Sequence, residues 1–142
     1  MNKVEKNLFL DKLIKLLKNS LLKEKDVLFC YLFGSFSYQN FNTESDIDIA
    51  VFLDETQRKN FFKRRLELIA KLSKALNREA DVTILNETGS AFFKYVVIKE
   101  GKLIFERTPQ ERIDFELRTL NQYFDFKPVL RMYQTRILAN KV

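Results

Sequence analysis

Leu8, Phe9, Leu13, Leu16, Leu17 and Leu21 recur at helical spacing between lysines, which predicts an amphipathic first helix. Val27 to Phe33 is an almost unbroken apolar run with aromatic and β-branched members, the pattern of a buried strand. It stops at Gly34-Ser35, and the polar and aromatic stretch 36–44 reads as a loop. Asp46 to Leu53 predicts a second strand. Thr56 is placed to cap a helix running to about Leu76, with Phe62, Leu66, Ile69, Leu72 and Leu76 facing inward. Glu79 to Leu85 predicts a third strand, and Thr88 can cap a short helix through Val97 that ends at Gly101. Lys102 to Glu106 alternates like an edge strand. Thr108-Pro109 opens a helical C-terminal region of about 109–142, which Pro128 should break near Asp125 to Lys127. The order predicts an α/β fold of the α+β type: two layers, with helices on one side of a small mixed sheet.

Length and composition sharpen this picture. A chain of 142 residues is most simply one domain, 1–142, long enough to bury a core. Three glycines and two prolines leave no room for long flexible linkers, and no repeat or low-complexity tract is present. No apolar run is long enough for a membrane span, and the first residues do not open a signal peptide. The single cysteine, Cys30, sits inside the first apolar strand and reads as a small core residue. Together these predict a cytoplasmic protein. The net charge of +6 is uneven, with seven lysines against four acids in 1–26 and eight basic against four acidic residues in 54–79. Basic helices around an acidic centre would attract a polyanion, although for the charge alone two solvated helix faces are the preferred account.

Histidine is absent, which removes Ser-His-Asp and Cys-His catalysis, histidine-dependent ribonuclease chemistry and most zinc sites. Any general base must be a carboxylate, a lysine, a tyrosine or Cys30. Against that background the informative pattern is Gly34-Ser35, a ten-residue spacer, and Asp46-Ile47-Asp48. A glycine at a strand end allows the backbone to approach a phosphate, and the serine adds a hydroxyl donor. Strand alternation points Asp46 and Asp48 to one face. Two carboxylates about 4 Å apart repel by roughly 4 kcal/mol at an effective dielectric near 20. A divalent cation removes that conflict, and oxygen ligands favour magnesium or manganese. Asp81 on the third strand can face the same way and accept a proton from an attacking hydroxyl. Two metals could then clamp the attacking oxygen and a leaving pyrophosphate.

With these residues in place, the sequence resembles the nucleotidyltransferase superfamily related to DNA polymerase beta, through Gly34-Ser35, Asp46-x-Asp48 and the later strand aspartate. The resemblance is closer to its minimal (MNT) branch, in particular the MntA-like antitoxins of HEPN–MNT toxin–antitoxin pairs. It extends to Tyr123-Phe124-Asp125-Phe126-Lys127-Pro128 with Arg131-Met132-Tyr133. It implies a polymerase-beta-like fold, with Gly34 and Ser35 on the triphosphate of ATP, Asp46 and Asp48 on magnesium, and Asp81 completing the site. It also implies transfer of AMP from ATP to a tyrosine of a HEPN ribonuclease toxin, in a hetero-oligomer that needs no stable nucleic-acid binding. One departure stands out. Family members carry a glycine a few residues after the serine, where this chain reads Phe36-Ser37-Tyr38-Gln39-Asn40, so a different turn is implied, with Asn40 able to supply a left-handed conformation.

Other residues have plainer readings. Lys63-Arg64-Arg65 can touch phosphate or RNA but fits a solvated helix face better, and Tyr38 can stack on adenine or pack in its loop. Tyr123, Phe124 and Phe126 read as core or subunit contacts. Three functions remain open: protein adenylylation, nucleotidyl transfer to RNA or a small molecule, and neutralisation of a toxin by binding alone. The short chain leaves little for a dedicated acceptor-binding domain, which favours an acceptor with its own recognition surface.

Overall fold

A computed structural model describes residues 2–36, 41–42 and 44–125. Helix α1 spans Lys3–Leu22, with Asn2 as its N-cap accepting from the Glu5 amide. Strand β1, Val27–Phe33, passes through a short 3-10 turn, Gly34–Phe36, towards strand β2, Ile47–Leu53. A second 3-10 segment, Glu55–Asn60, precedes helix α2, Phe61–Leu76. Strand β3 is Ala80–Ile84, helix α3 Ala91–Glu100, strand β4 Lys102–Glu106 and helix α4 Pro109–Asp125. The sheet order is β3-β2-β1-β4. β1 lies antiparallel to both β2 and β4, and β2 lies parallel to β3. No helix among the described residues is long and apolar enough to cross a membrane.

The α/β class and the mixed sheet agree with the sequence reading. The one-sided arrangement of helices does not. Cys30 and Leu32 of β1, with Ile49 and Val51 of β2, join α1 and α2 in one core. Phe29 and Tyr31, with Ala50 and Phe52, join Val97 of α3 and Phe115 of α4 in a second. The period of two turns neighbouring residues to opposite faces, so an uninterrupted apolar strand needs both faces covered. Phe29 stacks on Phe52 at 4.8 Å, and Phe115 packs 5.4 Å from each ring, which anchors α4 to that second face.

Helix faces and caps also differ in detail. The buried line of α1 is Leu10, Leu13, Leu17 and Leu21, leaving Leu8 and Leu16 exposed. In α2 the buried line is Phe61, Leu68, Leu72 and Leu76, while Phe62 is 72% and Leu66 49% exposed. The first α2 turn differs because Asp54, rather than Thr56, caps the preceding 3-10 segment by accepting from the Thr56 amide at 3.0 Å. Ser90, rather than Thr88, caps α3 by accepting from the Phe93 amide. Gly101 follows α3 as expected but in extended rather than left-handed backbone, with its amide donating to the Val97 carbonyl at 2.8 Å. Tyr123 stacks on Tyr95 with ring centroids 4.2 Å apart. The break at Pro128, the turn at Ser37 to Asn40, Phe126, Lys127 and Arg131-Met132-Tyr133 lie outside the described residues.

Candidate active site

Gly34 ends β1 with φ +73°, in the left-handed region that a side chain disfavours. A Cβ at this position would lie 2.3 Å from Asp48 Oδ2, so no other residue fits without displacing that carboxylate. Phe33 pairs with Asp48 across the antiparallel ladder, which brings the Gly34-Ser35 turn against β2. Phe36 and Phe41 flank the loop and stack at 4.4 Å, both buried. The Arg78 guanidinium lies over Phe36 and Phe9, and it donates to the Ser45 carbonyl at 3.0 Å. One cation therefore ties the turn after β1 to the residue before Asp46. The sequence reading missed Arg78, because nothing in its local pattern marks that reach.

β2 begins at Ile47, so Asp46 stands just before the strand rather than in it, while the Ile47 amide donates to the Glu79 carbonyl. Asp48 points away from the α1–α2 core that takes Ile47 and Ile49, towards the α3–α4 face. Asp81 pairs with Asp48 in the parallel register, and its neighbours Ala80 and Val82 enter the α1–α2 core. Asp48 and Asp81 therefore share a sheet face, with Asp46 at its entry and the Gly34 turn against it. Glu79, where the sequence pattern started the third strand, lies just before β3. A cleft of about 520 Å³ lined by Asp46, Glu79, Asp81 and the Ile69, Ala70 and Ser73 side of α2 opens beside them.

Burial pushes the Asp48 carboxyl above the usual range, and the charges of Asp81 and then Asp46 push it further. Among the described residues no group of three acidic, cysteine or histidine side chains is placed to hold a metal ion by itself. Magnesium does not require one, since it is commonly held by one or two carboxylates together with substrate phosphates. The all-oxygen donors and the uncompensated charge at Asp48 fit such a cation.

Asp81 is not alone: its Oδ1 accepts from Arg65 Nη2 at 3.0 Å and from the Val82 amide at 3.0 Å. The run Lys63-Arg64-Arg65 therefore divides, and only Lys63 behaves as part of a solvated face. Arg64 is held by Asp26, Glu67 and Glu24 at 2.6–3.0 Å. Two other candidate bases, Cys30 and Tyr31, fall away. Burial pushes the Cys30 thiol far up. Burial likewise raises Tyr31, whose hydroxyl donates to Glu116.

Residues 12–110 match the polymerase beta nucleotidyltransferase family. The chain is 34% identical over 130 residues to protein adenylyltransferase MntA of Shewanella oneidensis, covering 92% of this chain and 88% of that protein. A toxin–antitoxin structure with AMP-PNP superposes with a TM-score of 0.61 at 28% identity, covering 91% of this chain and 98% of its own. A structure of tri-AMPylated HEPN toxin from Shewanella oneidensis in complex with MNT antitoxin gives a TM-score of 0.56 at 27% identity, covering 94% and 98%.

Proposed function

This chain belongs to the polymerase beta nucleotidyltransferase family, and from that premise we propose that it is an antitoxin that transfers AMP from ATP to a tyrosine of a cognate HEPN ribonuclease toxin. The observation that carries this reading is the register of Asp48 against Asp81, on a sheet face where Gly34 leaves no space beside Asp48. Its likeness to an adenylyltransferase extends over 92% of the chain, which supports the same chemistry in one domain spanning 1–142.

In this reading Gly34 and Ser35 hold the triphosphate of ATP, the glycine by close backbone approach and the serine by its hydroxyl. Asp46 and Asp48 would hold magnesium, or manganese, with Asp81 completing a one- or two-ion site that supplies positive charge against the phosphates. The acceptor hydroxyl forms a bond to the α-phosphorus of ATP while the bond to the β-phosphate oxygen breaks and pyrophosphate leaves. The hydroxyl proton passes to Asp81, whose Oδ2 accepts no hydrogen bond among the described residues. The partner brings its own recognition surface, and a cytoplasmic location fits the use of ATP.

The test is intact mass of a HEPN partner co-expressed with this chain. The expected result is a mass increase in multiples of one AMP, reduced about 1000-fold or more in initial rate by Asp46→Ala/Asp48→Ala with unchanged circular dichroism. An unmodified partner whose toxicity is still suppressed would establish neutralisation by binding alone. Label appearing on RNA or a small molecule instead would place the acceptor there.

A further inference from the structure

We propose that Arg65 is a positioning residue for Asp81, occupying one carboxylate oxygen so that the other is presented to the reaction; this rests on the reading of Asp81 as part of the site. Arg65 Nε donates to the Val82 carbonyl at 2.7 Å while Nη2 donates to Asp81 Oδ1 at 3.0 Å. A single planar guanidinium thus spans two consecutive residues of β3, fixed by its backbone contact and holding the side chain with its other arm. The Val82 amide donates to the same Oδ1, so both donors converge on one oxygen and leave Oδ2 without a hydrogen bond among the described residues. β3 is an edge strand, where an unanchored exposed carboxylate would sample several rotamers.

A purely structural ion pair is the competing account, and the geometry argues against it. The pair is largely open to solvent, with side-chain exposures of 38% and 59%, and exposed pairs add little stability. The adjacent Arg64, only 14% exposed and bound to three acids, already ties α2 to the strand β1 approach. Arg65 adds orientation at Asp81. Lysine could not reproduce it, because one ammonium lacks the fork that reaches Val82 and Asp81 together.

The experiment compares Arg65→Gln, Arg65→Lys and Asp81→Asn in AMP transfer to the HEPN partner, together with calorimetric titration of the nucleotide-free protein with Mn2+. Arg65→Gln is expected to lower kcat by about 10–100-fold, the range for losing a group that orients a ligand side chain. KM for ATP should stay within about twofold, since the triphosphate contacts are elsewhere. Mn2+ should bind Arg65→Gln more weakly, because Asp81 is no longer held in one rotamer beside the other carboxylates. Arg65→Lys should recover only part of kcat. A merely structural role would lower the melting temperature and leave kcat and Mn2+ binding unchanged below the transition, which would overturn the proposal. Unchanged kcat in Arg65→Gln beside an inactive Asp81→Asn would also overturn it and leave the Asp81 reading intact. An active Asp81→Asn removes the premise, and the proposal with it.

Discussion

Glu24, Asp26 and Glu67 gather around Arg64, and Lys71 adds a further contact to Glu24 at 2.9 Å. Asp48 lies against the Gly34 turn under the charges of Asp81 and Asp46, with the Arg65 guanidinium on Asp81. Both are groups of three carboxylates, yet their electrostatics run in opposite directions. Burial acts to raise the Glu24 carboxyl, but hydrogen bonds and charges from Lys71 and Arg64 outweigh it and hold it below the usual range. At Asp48 burial and like charge act together and raise it. The first cluster carries its own cations and joins α2 to the segment before β1. In the second, no positive charge offsets that rise at Asp48, which is what the proposed ligand site requires and a structural cluster does not.

Removing the cation from the complete cluster should have the larger effect on stability. Arg64→Met leaves Glu24 with Lys71, Glu67 with Lys63 and the largely buried Asp26 with no basic partner among the described residues, and we expect a loss of about 2–4 kcal/mol in urea unfolding, with nucleotide binding retained below the transition. A loss below that of a typical exposed pair would mean that the cluster is not the tether described.

Smaller and more diagnostic is a pair of opposite signs. Glu24→Gln should lower stability at pH 7 by about 1 kcal/mol. Asp48→Asn should raise that of the ligand-free protein by less than about 1 kcal/mol once solvent screening is allowed for. The pH dependence follows from linkage. Glu24 has a folded pKa below its ordinary 4.5, so its contribution is present above that value and is lost as pH falls through the folded pKa. Asp48 has a folded pKa above its ordinary 3.8, so its ionised form weakens the fold at neutral pH and the penalty is gone below 3.8. The Glu24→Gln deficit and the Asp48→Asn gain should both close in acid, from opposite sides, in unfolding curves taken between pH 7 and 3. Curves of the same sign would break the comparison.

The two clusters were not equally visible in the sequence. Gly34, Ser35, Asp46, Asp48 and Asp81 stood out because strand alternation and a turn glycine are local patterns, and the sheet brings Asp48 opposite Asp81 as that alternation implies. The apolar run of β1 also held the evidence for helices on both faces, since neighbouring residues of a strand cannot all face one layer. The helix faces were harder. α1 and α2 carry more apolar positions than one buried line needs, and contact with the sheet chose Leu10 over Leu8 and Leu68 over Leu66. Arg64, Arg65 and Arg78 could not be separated by reading, because each reaches a partner 16 to 40 residues away, or a ring on another element. Adjacent cations in a lysine- and arginine-rich helix look alike until the chain folds.

The most direct test of an incomplete anionic site is calorimetric titration of the purified chain with AMP-PNP and magnesium, beside Asp46→Asn/Asp48→Asn and beside the same protein in EDTA. The account predicts saturable binding to the wild-type chain only when the divalent cation is present, and none measurable in the double variant. Equal affinity in the double variant, or binding undiminished by EDTA, would contradict it.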